Sequence, residues 1–181
     1  LSLDGISALM EQVRASRAAG VAKICFTEHI DLDMPGGDFK VDFAEYARQI
    51  AEARAAFPGM FIGIGLELGD TTGTRKRVVA LSNVLPLDYK LLSRHLVGGI
   101  DPYDADAFFA HRTRAQAAQE YLEAVWRSVV SFPDYDALAH LGYVCKFVQG
   151  KGFPPLGRAD APDVLEAILR HLVQNGKALE V

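Results

Sequence analysis

Lys23-Ile24-Cys25-Phe26-Thr27 is a short run of β-favouring residues that opens, through Glu28, into a polar loop containing glycine and proline from His29 to Lys40. A strand that ends at a histidine and is followed by a helix sets the pattern for the rest of the chain. Asp42, with Glu45 three residues on, predicts a capping-box start, and Phe43, Tyr46, Ala47, Ile50 and Ala53 give a helical stripe that stops before Pro58. Phe61 to Leu66 reads as a buried strand, Thr74 to Asn83 as a short helix and Tyr89 to Ser93 as a strand. A long helix is predicted from Thr113 to Val130, a strand from Ala137 to His140, a helix from Asp163 to Asn175 and a last strand from Lys177 to Val181. On the other side of the opening strand, Ile6, Leu9, Met10 and Val13 recur at helical spacing between Asp4 and a terminating Gly20. Strands alternating with helices imply an α/β fold, a parallel sheet or (β/α) barrel covered on both faces.

Composition narrows the functions. The 181 residues are half hydrophobic, with no linker or low-complexity tract, which suits a single domain over 1–181. Nineteen basic against 23 acidic residues leave a formal charge of −4, so no basic field exists to hold a nucleic-acid backbone, and a small substrate fits better. No apolar run approaches the roughly 20 residues that span a bilayer, and no membrane partner is expected. Cys25 and Cys145 lack the CxxC spacing and read as reduced thiols, consistent with a cytoplasmic protein. The chain opens on Leu1 and closes on Val181 within a predicted strand, so a fragment is expected, because a complete barrel ordinarily needs roughly 250 residues.

Four predicted strands end in a residue able to bind a metal: His29, Glu67, His95 and His140. Active sites of β/α proteins are built at the carboxyl ends of the strands, where residues far apart in sequence meet. Taken singly, a histidine near a strand end is ordinarily a hydrogen-bonded structural residue. Repetition over four strands argues instead for three imidazoles and a carboxylate around zinc, manganese or iron. Glu28 points to the other side of the extended chain from His29, and a loop or supporting role is its default. Asp31 and Asp70, just past strand ends, are equally suited to orienting imidazoles and to capping loops. His111 and His171 fall in a loop and near a helix end, and no chemistry is assigned to them. Lys146, Lys151 and Arg158, in the loop after His140, are candidates to meet a phosphate.

These strings carry a family resemblance. Ile24-Cys25-Phe26-Thr27-Glu28-His29-Ile30-Asp31 resembles the second motif of the PHP histidinol-phosphatases, and Gly65-Leu66-Glu67-Leu68-Gly69 resembles their glycine-flanked glutamate motif. Ser93-Arg94-His95 is similar to the family's Ser-x-His strand end, Leu138-Ala139-His140-Leu141-Gly142-Tyr143 to its Gly-His-x-Asp-Tyr motif, and Ala178-Leu179-Glu180-Val181 to its Glu-Ile-Asn strand. The resemblance implies a distorted seven-stranded (β/α) barrel of the PHP type, incomplete in this chain, with up to three divalent metal ions. It implies that His29, Glu67, His95 and His140 are metal ligands, that Glu67 bridges metals, and that Glu67, His95 and His140 carry the catalysis. The implied reaction is hydrolysis of histidinol phosphate in histidine biosynthesis. The alternatives are another PHP phosphoesterase acting on a nucleotide or sugar phosphate, and a degenerate domain without activity. Two departures bear on the site: Gly142 stands where the family has an aspartate, and Arg94 where it has a small or apolar residue. The family's His-x-His and Asp-x-His motifs are expected before Ser2 and after Val181, so that Glu67, His95 and His140 form one nearly complete metal position.

Overall fold

In the computed structural model, residues 7–146 and 158–181 are described. Strand β1 (Lys23–Ile30) follows helix α1 (Leu9–Ala18); helix α2 (Phe43–Ala56) leads to β2 (Phe61–Gly69), and α3 (Arg75–Leu81) to β3 (Tyr89–Ser93). Two helices, α4 (Ala105–Phe109) and α5 (Arg114–Ser131), precede β4 (Ala137–Leu138). The short α6 (Tyr143–Lys146), a 3₁₀ turn (Arg158–Asp160), α7 (Pro162–Gln174) and β5 (Ala178–Leu179) complete the order. The expected alternation is therefore present, and the start of the first predicted helix, from Asp4 to Ile6, lies outside the described residues.

All four ladders are parallel and the strand order is β1-β2-β3-β4-β5, so each strand bonds only to its neighbours in sequence. Among the described residues the sheet is five-stranded and open, in place of the expected seven-stranded closure. No ladder joins β5 to β1, and β4 and β5 are two residues each, too short to carry the sheet round on themselves. The centre is more regular: β1 and β2 pair over eight rungs, from Lys23 opposite Phe61 to Ile30 opposite Leu68. Every residue of β2 after Phe61 is buried, as a strand covered on both faces requires.

Local chemistry explains the helix starts. Asp42 caps α2 by accepting from the backbone N–H groups of Ala44 and Glu45, both at 3.0 Å. The reciprocal half of the expected capping box is replaced: Glu45 turns forward to Arg48 and Gln49. Thr113 and Gln116 form a full capping box at α5, whose buried stripe of Tyr121, Leu122, Val125 and Val129 packs into the core. From α2, the buried Tyr46 hydroxyl reaches the carbonyls of Phe26 at 2.8 Å and Gly65 at 3.0 Å, tying the helix to both β1 and β2. Gly65 admits no side chain, since a Cβ there would lie 2.7 Å from the Tyr89 carbonyl and 3.0 Å from that of Phe26. Helix and sheet thus converge closely just below the end that carries the candidate ligands.

Candidate metal centre

Period-2 alternation puts His29 and Asp31 on one face at the end of β1, and Glu67 and Gly69 on the same face of β2, with His29 directly opposite Glu67. His29 and Glu67 lie within their strands rather than just past them, because the ladder continues to Ile30 and Gly69. His95 follows β3 by two residues and His140 follows β4 by two. Parallel pairing in sequence order brings all four to one end of the sheet.

The ligand atoms meet. Glu67 Oε1 is 2.9 Å from His140 Nε2 and 3.1 Å from His95 Nε2, and the two ring nitrogens are 3.3 Å apart. His29 Nδ1 is 3.7 Å from Glu67 Oε2, and ligand-capable atoms of His29, Glu67 and His95 all lie within 4.8 Å of one another. Glu67 therefore belongs to two overlapping groups, one with His29 and His95 and one with His95 and His140. Two imidazole nitrogens facing each other and a carboxylate oxygen must share either a proton or a cation. A donor set of neutral nitrogen and anionic oxygen, nearly dry, fits a divalent ion of the zinc or manganese kind.

Asp31 decides how the rings sit. Its Oδ1 bonds His95 Nδ1 at 2.7 Å and its Oδ2 His29 Nδ1 at 3.3 Å, so one carboxylate holds two imidazoles. Held through Nδ1, His95 presents Nε2 to Glu67 and His140. Asp70, its equal in sequence position, does something else: it is fully buried and accepts a fork from Arg75 at 2.8 and 2.6 Å. Arg94, the unusual residue beside His95, donates to the carbonyls of Leu96 at 2.7 Å and Asp70 at 2.8 Å, fastening the segments after β3 and β2. Glu28 is buried on the opposite alternation from His29.

Burial alone would depress the His95 imidazole, but its hydrogen bonds to Asp31 and Glu67 outweigh that and push it up to about 10. Burial also opposes protonation of His29, and the Asp31 bond and the Glu67 charge again win, raising it. Burial would raise both carboxyls, yet bonds from His140 and His95 hold Glu67 low, and bonds from His29 and His95 hold Asp31 low. In the metal-free protein the stabilisation from His95 is complete below its unfolded value of about 6.5 and disappears as pH climbs through about 10. The thermal midpoint of metal-free protein should accordingly fall between pH 6.5 and 10. Zinc affinity should move the other way, tightening by about tenfold per pH unit for each proton the ion displaces. Titrations with zinc at pH 6 and 8 check the second trend, and an affinity independent of pH would contradict it.

A cavity of about 490 Å³ opens over the cluster, lined also by Phe39, Asp101, Tyr103, Tyr143 and Lys146. The Tyr143 ring lies 4.9 Å from that of His95 and 5.0 Å from that of His140, and its hydroxyl donates to Asp101 Oδ1 at 2.9 Å. Phe39, Asp101 and Tyr103 have no ligand spacing or periodicity by which sequence reading finds them. Of the cations proposed to meet a phosphate, Lys146 lines the cavity, Arg158 pairs with Glu166 at 3.1 Å, and Lys151 lies outside the described residues. A Cβ at Gly142 would meet nothing within 4 Å, so packing does not force the loss of the aspartate expected there. His171 stands edge-on to Trp126 with ring centroids 5.6 Å apart, and His111 is exposed; neither belongs to the cluster. Cys25 and Cys145 form no disulfide.

Known proteins resemble this chain in sequence and fold. The PHP domain family model matches residues 1–181. The histidinol-phosphatase of Lactococcus lactis subsp. lactis is 32% identical over 181 residues, covering 99% of this chain and 67% of that protein. A probable histidinol-phosphatase of Clostridium acetobutylicum is 26% identical over 68% of this chain and 47% of its own length. One from Deinococcus radiodurans is 28% identical over 76% of this chain and 55% of its own. The crystal structure of the Lactococcus lactis histidinol phosphate phosphatase, in complex with zinc, L-histidinol and phosphate, superposes with a TM-score of 0.90. That match has 32% identity and covers 99% of this chain and 68% of the other. With the family model matched from end to end and the fold in agreement, the chain belongs to the PHP domain family.

Proposed function

We propose that the protein is a metal-dependent phosphate monoester hydrolase, a histidinol-phosphatase, with His29, Glu67, His95 and His140 as metal ligands and Glu67, His95 and His140 as its catalytic group. The observation that carries this reading is the convergence of Glu67 Oε1 with two imidazole Nε2 atoms, within 3.3 Å of one another, at the floor of a cavity. It is supported by the likeness to a structure holding zinc, histidinol and phosphate. On this reading a single PHP-type domain spans 1–181, and the open five-stranded sheet is part of the family's seven-stranded distorted barrel.

A divalent ion held here supplies a water made nucleophilic near neutral pH and positive charge to neutralise the phosphate oxygens. The protein's own groups do the rest. Glu67 places one carboxylate between both ligand groups; Asp31 holds His95 by the nitrogen turned away from Glu67 and also bonds His29 Nδ1. Tyr143 and Phe39 wall the cavity with aromatic surface and limit water access to the reacting phosphate. Lys146 on the same wall offers a cation to the substrate's phosphate. A small phosphorylated substrate also suits the acidic net charge of −4, which favours neither nucleic acid nor an anionic membrane surface. No helix among the described residues is long and apolar enough to cross a membrane, and the cytoplasm is the location proposed.

The test is inorganic phosphate release from histidinol phosphate, from a nucleoside monophosphate and from a sugar phosphate, after loading the protein with zinc or manganese. Preference for histidinol phosphate is the expected result. Preference for either other ester identifies a different PHP phosphoesterase, and no release from any ester with either metal marks a domain without activity. Within the same assay, His140→Ala should lower metal affinity and activity, and raising free zinc should partly restore both by mass action. His171→Ala, on α7 and outside the cluster, should stay near the wild-type rate. A His140→Ala protein with unchanged zinc content would remove that residue from the site.

A further inference from the structure

We infer that Gly69 is a positioning residue for the metal centre: its missing side chain leaves the passage through which Asp31, already bonded to His29 on its own strand, crosses β2 to hold His95 as well. The inference rests on the metal-centre reading of the cluster above. Strand β2 lies between β1 and β3, and neighbouring strands are about 4.8 Å apart, so a residue at the end of β1 must reach over an intervening strand to touch His95 beyond β3. Asp31 does so, bonding His95 Nδ1 at 2.7 Å. The residue it passes over is Gly69, on the same face of β2 as Glu67.

The fit is tight. A Cβ on residue 69 would stand 1.8 Å from Asp31 Oδ1, 2.6 Å from its Cγ and 3.2 Å from the Ile30 carbonyl. Asp31 has nowhere to retreat. Its backbone is clamped to Phe39 by two hydrogen bonds, at 3.1 and 2.8 Å, and both carboxylate oxygens are engaged by imidazoles. Gly69 sits in a regular ladder opposite Ser93 and has no positive φ, so backbone freedom does not call for glycine here. The space above its Cα does. Even a methyl group must displace the carboxylate, releasing His95 Nδ1, and with it the aim of His95 Nε2, and loosening the hold on His29.

A double-mutant cycle on the full protein separates this role from ordinary packing. Gly69→Ala and Asp31→Ala should each weaken zinc binding, measured by chelator competition, by about 10- to 100-fold. The double variant should bind zinc no more weakly than Asp31→Ala alone, because the methyl then has no carboxylate to displace. In metal-free protein, the nitrogen NMR signal of a protonated His95 Nδ1 should be present in wild type and lost in Gly69→Ala. Should Gly69→Ala fail to fold, adding Asp31→Ala should restore the thermal transition, since it removes the atoms in conflict. Additive losses of zinc affinity, an unchanged Nδ1 signal in Gly69→Ala, or a double variant as unfolded as Gly69→Ala would overturn the assignment. The NMR and folding readouts need no metal, so a wild-type protein that binds no zinc would refute the metal-centre reading and leave the role of Gly69 to be judged by these two.

Discussion

Glu67→Gln should lower phosphate release from histidinol phosphate by about 1,000-fold or more, and strip metal from the protein at the same time. The side chain keeps its size, so the change is one of charge and lone pairs. Glu67 is buried and faces three imidazoles, at 2.9 Å for His140, 3.1 Å for His95 and 3.7 Å for His29. As the carboxylate common to both ligand groups, it is the one residue whose neutralisation weakens every metal position these residues make. A glutamine also turns an N–H₂ donor toward ring nitrogens that need an acceptor or a cation. Added zinc should restore much less than it does for His140→Ala, where a single position loses a single ligand. Phosphate release and metal content should be measured on the same samples; near-normal values of both for Glu67→Gln would remove the centre of the proposed site.

Arg75→Met should be strongly damaging although it lies outside the metal cluster, costing about 3 kcal/mol of folding stability. Asp70 is fully buried, and Arg75 grips both its oxygens at 2.8 and 2.6 Å while its own side chain reaches partly into solvent. Methionine retains the packing of the stem and removes the fork. The carboxylate is then left in the interior with Arg94 at 3.9 Å as its nearest cation, beyond hydrogen-bond reach. Arg75→Lys should recover part of the loss, since an ammonium supplies charge without the paired geometry. Denaturant unfolding monitored by circular dichroism provides the measurement. A midpoint for Arg75→Met equivalent to less than about 0.5 kcal/mol from wild type would show that Asp70 tolerates burial alone.

Asp31 and Asp70 show where sequence reading ends. Both follow strand ends by one residue, and both were equally suited to orienting imidazoles or capping loops. The structure divides them. Asp70 finds Arg75 five residues on, a local partner, whereas Asp31 finds His95, which is 64 residues away. Nothing in local pattern distinguishes the two, because the partner of Asp31 is fixed by which strand lies beside β2.

Strands and long helices were legible because their signals are local. Apolar runs, helical stripes, the Asp42 cap and the pause at Gly20 act over a few residues. The two shortest helices were not: α4 and α6 span five and four residues, too few for a periodicity to show. Strand ends were misjudged in both directions. The β1–β2 ladder carries the polar Glu28, His29 and Glu67 inside strands, and β4 ends at Leu138, short of the expected His140. Backbone pairing across strands, not residue preference, sets those limits.

Sequence alone named the candidate ligands and put them near the carboxyl ends of successive strands, because residue type and alternation are properties of the chain itself. Only the tertiary structure decided which of them touch. Parallel order β1-β2-β3-β4 places His29 and Glu67 opposite one another, brings His95 and His140 to the same oxygen of Glu67, and lets one aspartate join the ring beside it to another across a strand that lacks a side chain at Gly69. Contacts of that kind depend on strand spacing and on atoms a few ångströms apart, and these exist only once the sheet has formed.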